Sequence, residues 1–218
     1  MLLDNANRSR DHIPAKIFFP PPRPNDLITV PCCLPCNQER SANDFHTALM
    51  LLINNAVRRT EVVRRLTQRL LNSLARTEST GLRLAISRGI RIIDVFTESG
   101  LFIGRRPALR QNVRRIEDTI SCYVKGLFFH AYSFRLPDEY GADSRIELTF
   151  SEEHIASLLV SVPSLATASW TREWNGVFAY KTQAAEDDPN VTAWVMRFFN
   201  SIDFFCVTLP LEDLRMTR

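Results

Sequence analysis

Four prolines within five residues, Pro20, Pro21, Pro22 and Pro24, place the first constraint on this chain. Each fixes its own φ and lacks a backbone donor, so the segment cannot be helical and reads as a stiff, exposed connection. Asp11 and His12 stand before it. After it, Leu27-Ile28-Thr29-Val30 reads as a short β-strand ended by Pro31, and Cys33-Leu34-Pro35-Cys36-Asn37 follows. Residues 1 to 35 are therefore expected to be extended and loop-like. They carry groups that bind metals and move protons, with only 25 positions separating His12 from Asn37. Three readings fit the stretch: a nuclease active site, a zinc knuckle, or a Pro-rich loop with cysteines nearby.

From about Asn37 the apolar positions change period. Phe45, Leu49, Leu52, Ala56, Val63, Leu66, Leu70 and Leu74 recur at helical spacing, with a weak turn near Thr60. Arg58, Arg65, Arg69 and Arg76 form a second stripe, which is either a solvated face helped by a Glu61–Arg65 pair or a phosphate-contacting one. Gly81–Ser87 reads as a short helix, and Ile90–Phe96 with Leu101–Gly104 as a hairpin about Glu98-Ser99-Gly100. Pro107 is read as the start of a helix running from Leu109 to about His130, with Arg110, Arg114 and Arg115 on its first turns.

Past the turn-like Pro137–Gly141, candidate strands are Arg145–Phe150, Gly176–Thr182, Thr192–Phe199 and Phe204–Leu209, with a short helix at about Glu152–Leu159. Trp170, Trp174 and Trp194 are expected to pack on that sheet. The pattern predicts an α+β protein in three sections: an extended, strand-bearing N-terminal section over 1–45, an Arg-rich helical section over 46–131, and a β-rich acidic section over 132–218. No internal repeat, phosphate-binding Gly loop or nucleophile elbow is present in the sequence.

Charge is distributed unevenly along the chain. Residues 1–125 carry a net +9 and residues 126–218 a net −6, so the N-terminal half is the one suited to a polyanion. The longest apolar run, Ala48–Ile53, is too short to span a bilayer, and charged residues interrupt any secretory signal near the N-terminus. Both features predict a cytoplasmic protein without a membrane partner, whose five cysteines should be reduced. Cys122 and Cys206 read as core residues, His130 as an interior histidine and His154 as a helix-surface one.

Phosphodiester hydrolysis needs a base for water and a cation to stabilise charge on phosphate and leaving oxygen. Imidazole takes a proton near neutral pH, which suits His12 to the first task. The carboxylate of Asp11 and the amide oxygen of Asn37 suit Mg²⁺ or a similar hard divalent ion. On an extended segment adjacent side chains diverge, so Asp11 and His12 can serve metal and water separately.

These residues carry a resemblance. Asp11-His12-Ile13-Pro14 with Lys16, then Leu27-Ile28-Thr29-Val30-Pro31, then Cys33-Leu34-Pro35-Cys36-Asn37 resemble the HNH endonuclease superfamily, closest to a group of small bacterial proteins. The strong likeness spans about residues 8 to 45, and Ala15 replaces a proline of the usual pattern. It implies a ββα-metal motif over 1–45 and a metal-dependent DNA endonuclease with His12 as general base and Asp11 and Asn37 as metal ligands. DNA would be gripped through its backbone by Lys16, Arg58, Arg65, Arg69, Arg76, Arg110 and Arg114.

The chain departs from the family in two places. Asp26 stands where an asparagine normally braces the loop bearing the base, with Asn25 one residue earlier. Leu3 stands where the second cysteine of an expected earlier Cys-x-x-Cys would fall and the first would lie before Met1, so either the true N-terminus is missing or the zinc site has been lost. Cys33 and Cys36 then supply half of the four thiolates of a structural Zn²⁺ site, with His46 as a candidate third ligand. Both departures favour an alternative: a catalytically inactive nucleic-acid-binding or regulatory protein on the same scaffold. A third reading is a protein-interaction module built on the acidic C-terminal half. The sequence leaves oligomeric state open.

Overall fold

The computed structural model describes residues 8–54, 56–57, 59–75, 80–146, 165 and 167–216. The expected helix over 152–159 lies outside them, as do Arg58, Arg76 and His154. The protein is mixed α+β, and the chain divides into two compact units, Met1–Leu66 with Val113–Arg218, and Thr67–Asn112.

In the first unit, β1 (Arg8–Ile13) pairs antiparallel with β2 (Ile28–Cys33), in a register that sets His12 opposite Thr29 and Asp11 opposite Val30. The expected strand thus continues through Pro31, which an outer strand of a two-stranded pair tolerates. β2 leads directly into α1 (Leu34–Leu52). Pro35 occupies the first turn, where its missing N–H is not needed, and the Cys33 sulfur caps the helix by accepting from Cys36 N at 3.1 Å.

The continuous helical pattern expected past Thr60 is broken. α1 stops at Leu52, and α2 (Glu61–Leu74) starts with Thr60 Oγ1 accepting from Val63 N at 3.3 Å. Threonine at this place offers the new helix a cap, which a periodicity count does not register. Glu61 pairs with Arg64 at 2.9 Å rather than with Arg65.

α4 (Val113–Tyr132) is the central helix of this unit, packing against α1, the β1–β2 pair, β5 (Tyr140–Ile146) and β9 (Ile202–Pro210). Its buried stripe, including Ile116, Ile120, Tyr123, Val124, Leu127 and Phe128, follows helical spacing. With β6 (Arg172–Trp174), β7 (Phe178–Ala184) and β8 (Thr192–Phe198), the C-terminal strands form one antiparallel sheet in the order β5-β9-β8-β7-β6. α5 (Leu211–Met216) follows β9 directly.

Trp174 and Trp194 are buried in this sheet, while Trp170 is half-buried under the cations of Arg197 and Lys181, 4.9 and 5.3 Å from its ring. The Pro-rich segment is pinned to the same core. Phe18, in a single 3₁₀ turn at Lys16–Phe18, lies edge-on to Tyr123 at 6.3 Å and 5.1 Å from Phe198, and Phe19 meets Trp174 at 6.5 Å. Both phenylalanines are at most 1% exposed, each worth roughly 1.5–3 kcal/mol of burial.

The second unit holds the C-terminal part of α2, then α3 (Thr80–Gly89) and a hairpin of β3 (Ile90–Phe96) with β4 (Phe102–Leu109). Pro107 does not open a helix. It lies inside β4, paired with Ile92, and α4 begins only at Val113. Two further expectations change. His130 is exposed at the end of α4 rather than interior, and Cys122 is half-buried, whereas Cys206 is a core residue as expected.

Candidate active site

Alternation along β1 sets Asp11 inward and turns His12 the other way. Asp11 is 6% exposed and His12 half-buried. α1 supplies the opposite wall. Asn37, Ser41 and Asp44 stand at i, i+4 and i+7 on one helix face. A cavity of about 340 Å³ lies between these elements, lined by Arg10, Asp11, His12, Lys16, Asn37, Ser41 and Asp44, with Ala15 and Ile17. The tertiary structure thus brings His12, Asp11, Asn37 and Lys16 to one place.

His12 has its pKa lowered, first by burial and then by the nearby Lys16 cation, with Asp11 opposing and Arg23 adding to the effect. At neutral pH the imidazole is unprotonated and able to accept a proton. Asp11 Oδ1 accepts from the His12 backbone N–H at 2.9 Å, and Oδ2 forms an ion pair with Arg40. Arg40 also donates to Cys32 Sγ at 3.2 Å. Asn37 Nδ2 donates to Ser9 Oγ at 2.8 Å and to Arg10 O at 3.4 Å, so a cation would be met by its Oδ1. The donor set of a carboxylate and an amide oxygen fits Mg²⁺ completed by water. A carboxylate has about four lone-pair sites, so Arg40 and a cation can share Asp11.

Sequence reasoning missed three of these residues. Arg10 shares His12's side of β1 by the two-residue alternation. Arg40 neutralises Asp11 from the second turn of α1. Asp44 is the third: it is 7% exposed, accepts from Tyr123 OH at 2.6 Å, and has its pKa raised to about 6, chiefly by burial and further by Asp11. The spacing from Asn37 to Asp44 was the available signal, but only α4 packing Tyr123 against it gives the carboxyl its burial.

The other expected site residues separate. Asn25 and Asp26 form an exposed turn. Asp26 accepts from Arg172 Nη2 at 2.6 Å and from Trp174 Nε1 at 3.1 Å, fastening the loop before β2 to the C-terminal sheet. These bonds, Arg172's first, lower its pKa.

Cys33 and Cys36 form a disulfide, which corrects the expectation of reduced thiols. The cap brings their Cα atoms to 5.3 Å, inside bridging range. Bridged sulfurs are not thiolates, so a Zn²⁺ site at this pair requires reduction first. Among the described residues no group of three or more His, Cys, Asp or Glu side chains that could hold a metal ion is found.

Of the basic residues, Arg65 donates to Pro21 O at 2.7 Å and Arg114 pairs with Asp118 at 3.1 Å. Arg69 lies on α2, and Arg110 is exposed just past β4 rather than on a helix.

No family model, curated protein or solved structure matches this chain. Among the described residues no helix is long and apolar enough to cross a membrane.

Proposed function

We propose that the protein is a divalent-metal-dependent endonuclease of the HNH type, hydrolysing phosphodiester bonds of DNA. The observation that carries this reading is the shared cavity. A neutral imidazole, a buried carboxylate and an amide oxygen from a strand–loop–strand–helix segment line one opening, flanked by Arg10 and Lys16. In this reading β1, β2 and α1 form the ββα-metal motif.

His12 takes a proton from the attacking water, and Asp11 and Asn37 would hold Mg²⁺ or a similar ion. Arg10 and Lys16 orient the phosphate by charge, with little demand on base sequence. The bound ion would supply charge stabilisation at the phosphate and the leaving oxygen. Asp26 anchors the loop preceding β2 to the C-terminal sheet through Arg172 and Trp174.

One observation favours the second reading, an inactive nucleic-acid-binding scaffold. Both oxygens of Asp11 are engaged, and the partner of Oδ2 is itself a cation, Arg40. A metal must share that carboxylate with a guanidinium.

The deciding experiment incubates the purified chain with supercoiled plasmid in Mg²⁺, Mn²⁺ or EDTA, beside His12→Ala. Metal-dependent nicking abolished in His12→Ala supports the enzyme. Nicking equal in both proteins refutes His12 as the base. If neither protein cuts but both retard DNA in a salt-dependent manner, the scaffold reading stands. Mg²⁺ titrations of Arg40→Gln then report whether the guanidinium is what keeps the ion out, through tighter binding in the variant.

A further inference from the structure

The β3–β4 ribbon is two-stranded, with no third strand beside it among the described residues, and it sorts its side chains by face. The register Ile90↔Leu109, Ile92↔Pro107, Asp94↔Arg105 and Phe96↔Phe102 puts these eight residues on one side. Arg91 and Arg106 are on the other, with Ile93, Val95 and Ala108 between and beside them. The first side is apolar and open to solvent: Ile90 is 45% exposed, Ile92 66%, Phe96 55% and Phe102 53%. A lone two-stranded hairpin is marginal in water, and a contiguous exposed apolar patch marks a contact surface.

We propose that this face is a dimer interface, covered by the same face of a second copy of the chain. Its charge pattern selects that occupant. The only charged groups on the face are Asp94 and Arg105, which sit opposite each other and pair at 2.9 Å while 49% and 72% exposed. The face is therefore neutral and carries both halves of an ion pair at its centre. A twofold axis through that point lets Asp94 of each copy meet Arg105 of the other, as a self-complementary contact requires.

Nucleic acid fits the face poorly. The segment 67–112 carries a net +5, yet Arg91 and Arg106 project from the opposite side of the ribbon. Apposing the apolar faces keeps those cations outward in both copies. The area is also adequate. With Leu101 at the tip, 69% exposed, the five large side chains together offer on the order of 600 Å², against ~800 Å² per partner in a standard interface. The T-shaped Phe96–Phe102 pair, 5.6 Å between centroids, supplies an aromatic anchor of the kind that dominates binding energy.

The inference does not depend on catalysis and is tested on the full chain of 25.0 kDa by sedimentation equilibrium. Wild type should dimerise with rising concentration, and Ile92→Asp should raise the dimer dissociation constant at least about tenfold. Circular dichroism confirms that the variant is folded. Asp94→Arg and Arg105→Asp should each weaken self-association, because each homodimer then faces like charges, and mixing the two should restore dimers. Wild type that stays monomeric at roughly 100 μM overturns the proposal. So does a mixture that pairs no better than its components. Should wild type be monomeric while Ile92→Asp loses plasmid binding, the face belongs to nucleic acid and the dimer is refuted.

Discussion

Gly126→Ala is the perturbation that most directly connects packing to the candidate site. In the middle of α4, alanine would ordinarily stabilise by about 1 kcal/mol over glycine. Here a Cβ would meet Ile13 Cδ1 at 1.8 Å, Ile13 Cγ1 at 3.3 Å and Val30 Cγ2 at 3.5 Å. Carbon atoms prefer ~3.5–4.0 Å, so the Ile13 methyl would have to retreat by roughly 2 Å. It has nowhere to go, because Ile13 is 0% and Val30 6% exposed.

Overpacking costs about 1–3 kcal/mol, and an enclosed partner puts this site at the upper end. Subtracting the helix gain leaves a net loss of about 2 kcal/mol. For a chain of this length that corresponds to a Tm lower by roughly 4–8 °C. Ile13→Val removes the clashing methyl at a cost of about 1 kcal/mol by itself. The double variant should therefore fall near wild type, because the helix gain of alanine then offsets the cost of the shorter side chain, rather than at the additive value of about 3 kcal/mol. Thermal and urea unfolding of the four proteins measures this cycle. Because Ile13 follows His12, nicking by Gly126→Ala should also drop and recover in the double variant. Unchanged or higher stability of Gly126→Ala, or strict additivity, would refute the close approach of α4 to the β1–β2 pair.

Asp44 gives a pH signature. Its folded pKa of about 6 lies above the ordinary 3.8, so the folded protein holds that proton more tightly. Stability is then lost as pH rises from about 4 to about 6, and the cost is fully present above that range. At roughly 1.4 kcal/mol per unit the upper figure is about 3 kcal/mol, so Asp44→Asn should gain up to that much more at pH 8 than at pH 4. A pH-independent difference in urea unfolding between the two proteins would contradict the burial argument. The disulfide predicts that the unfolded, unreduced chain titrates with three thiol equivalents and the reduced chain with five. Five before reduction would mean that Cys33 and Cys36 are open to metal.

Much of the fold could be read from local chemistry. Proline spacing ruled out a helix over residues 20–24, alternation located β2, β7, β8 and β9, and the apolar stripe of α4 marked its buried face. These signals are short-range and survive without tertiary context. The places where the reading failed share another cause. Pro107 looks like a helix start in isolation, yet pairing with Ile92 makes it a strand residue, and a threonine cap at Thr60 rather than periodicity divides α1 from α2.

The candidate site divides in the same way. Residue type and order singled out Asp11, His12 and Asn37, because only certain side chains ligate hard cations or accept protons near neutrality. Their meeting around one cavity depends on the β1–β2 register and on α1 following without a linker. Arg40 on Asp11, Tyr123 on Asp44 and Arg172 on Asp26 are contacts spanning 29, 79 and 146 positions. A sequence fixes which groups are available for such contacts. Burial, which lowers the pKa of His12 and raises that of Asp44, exists only once distant segments have excluded water together.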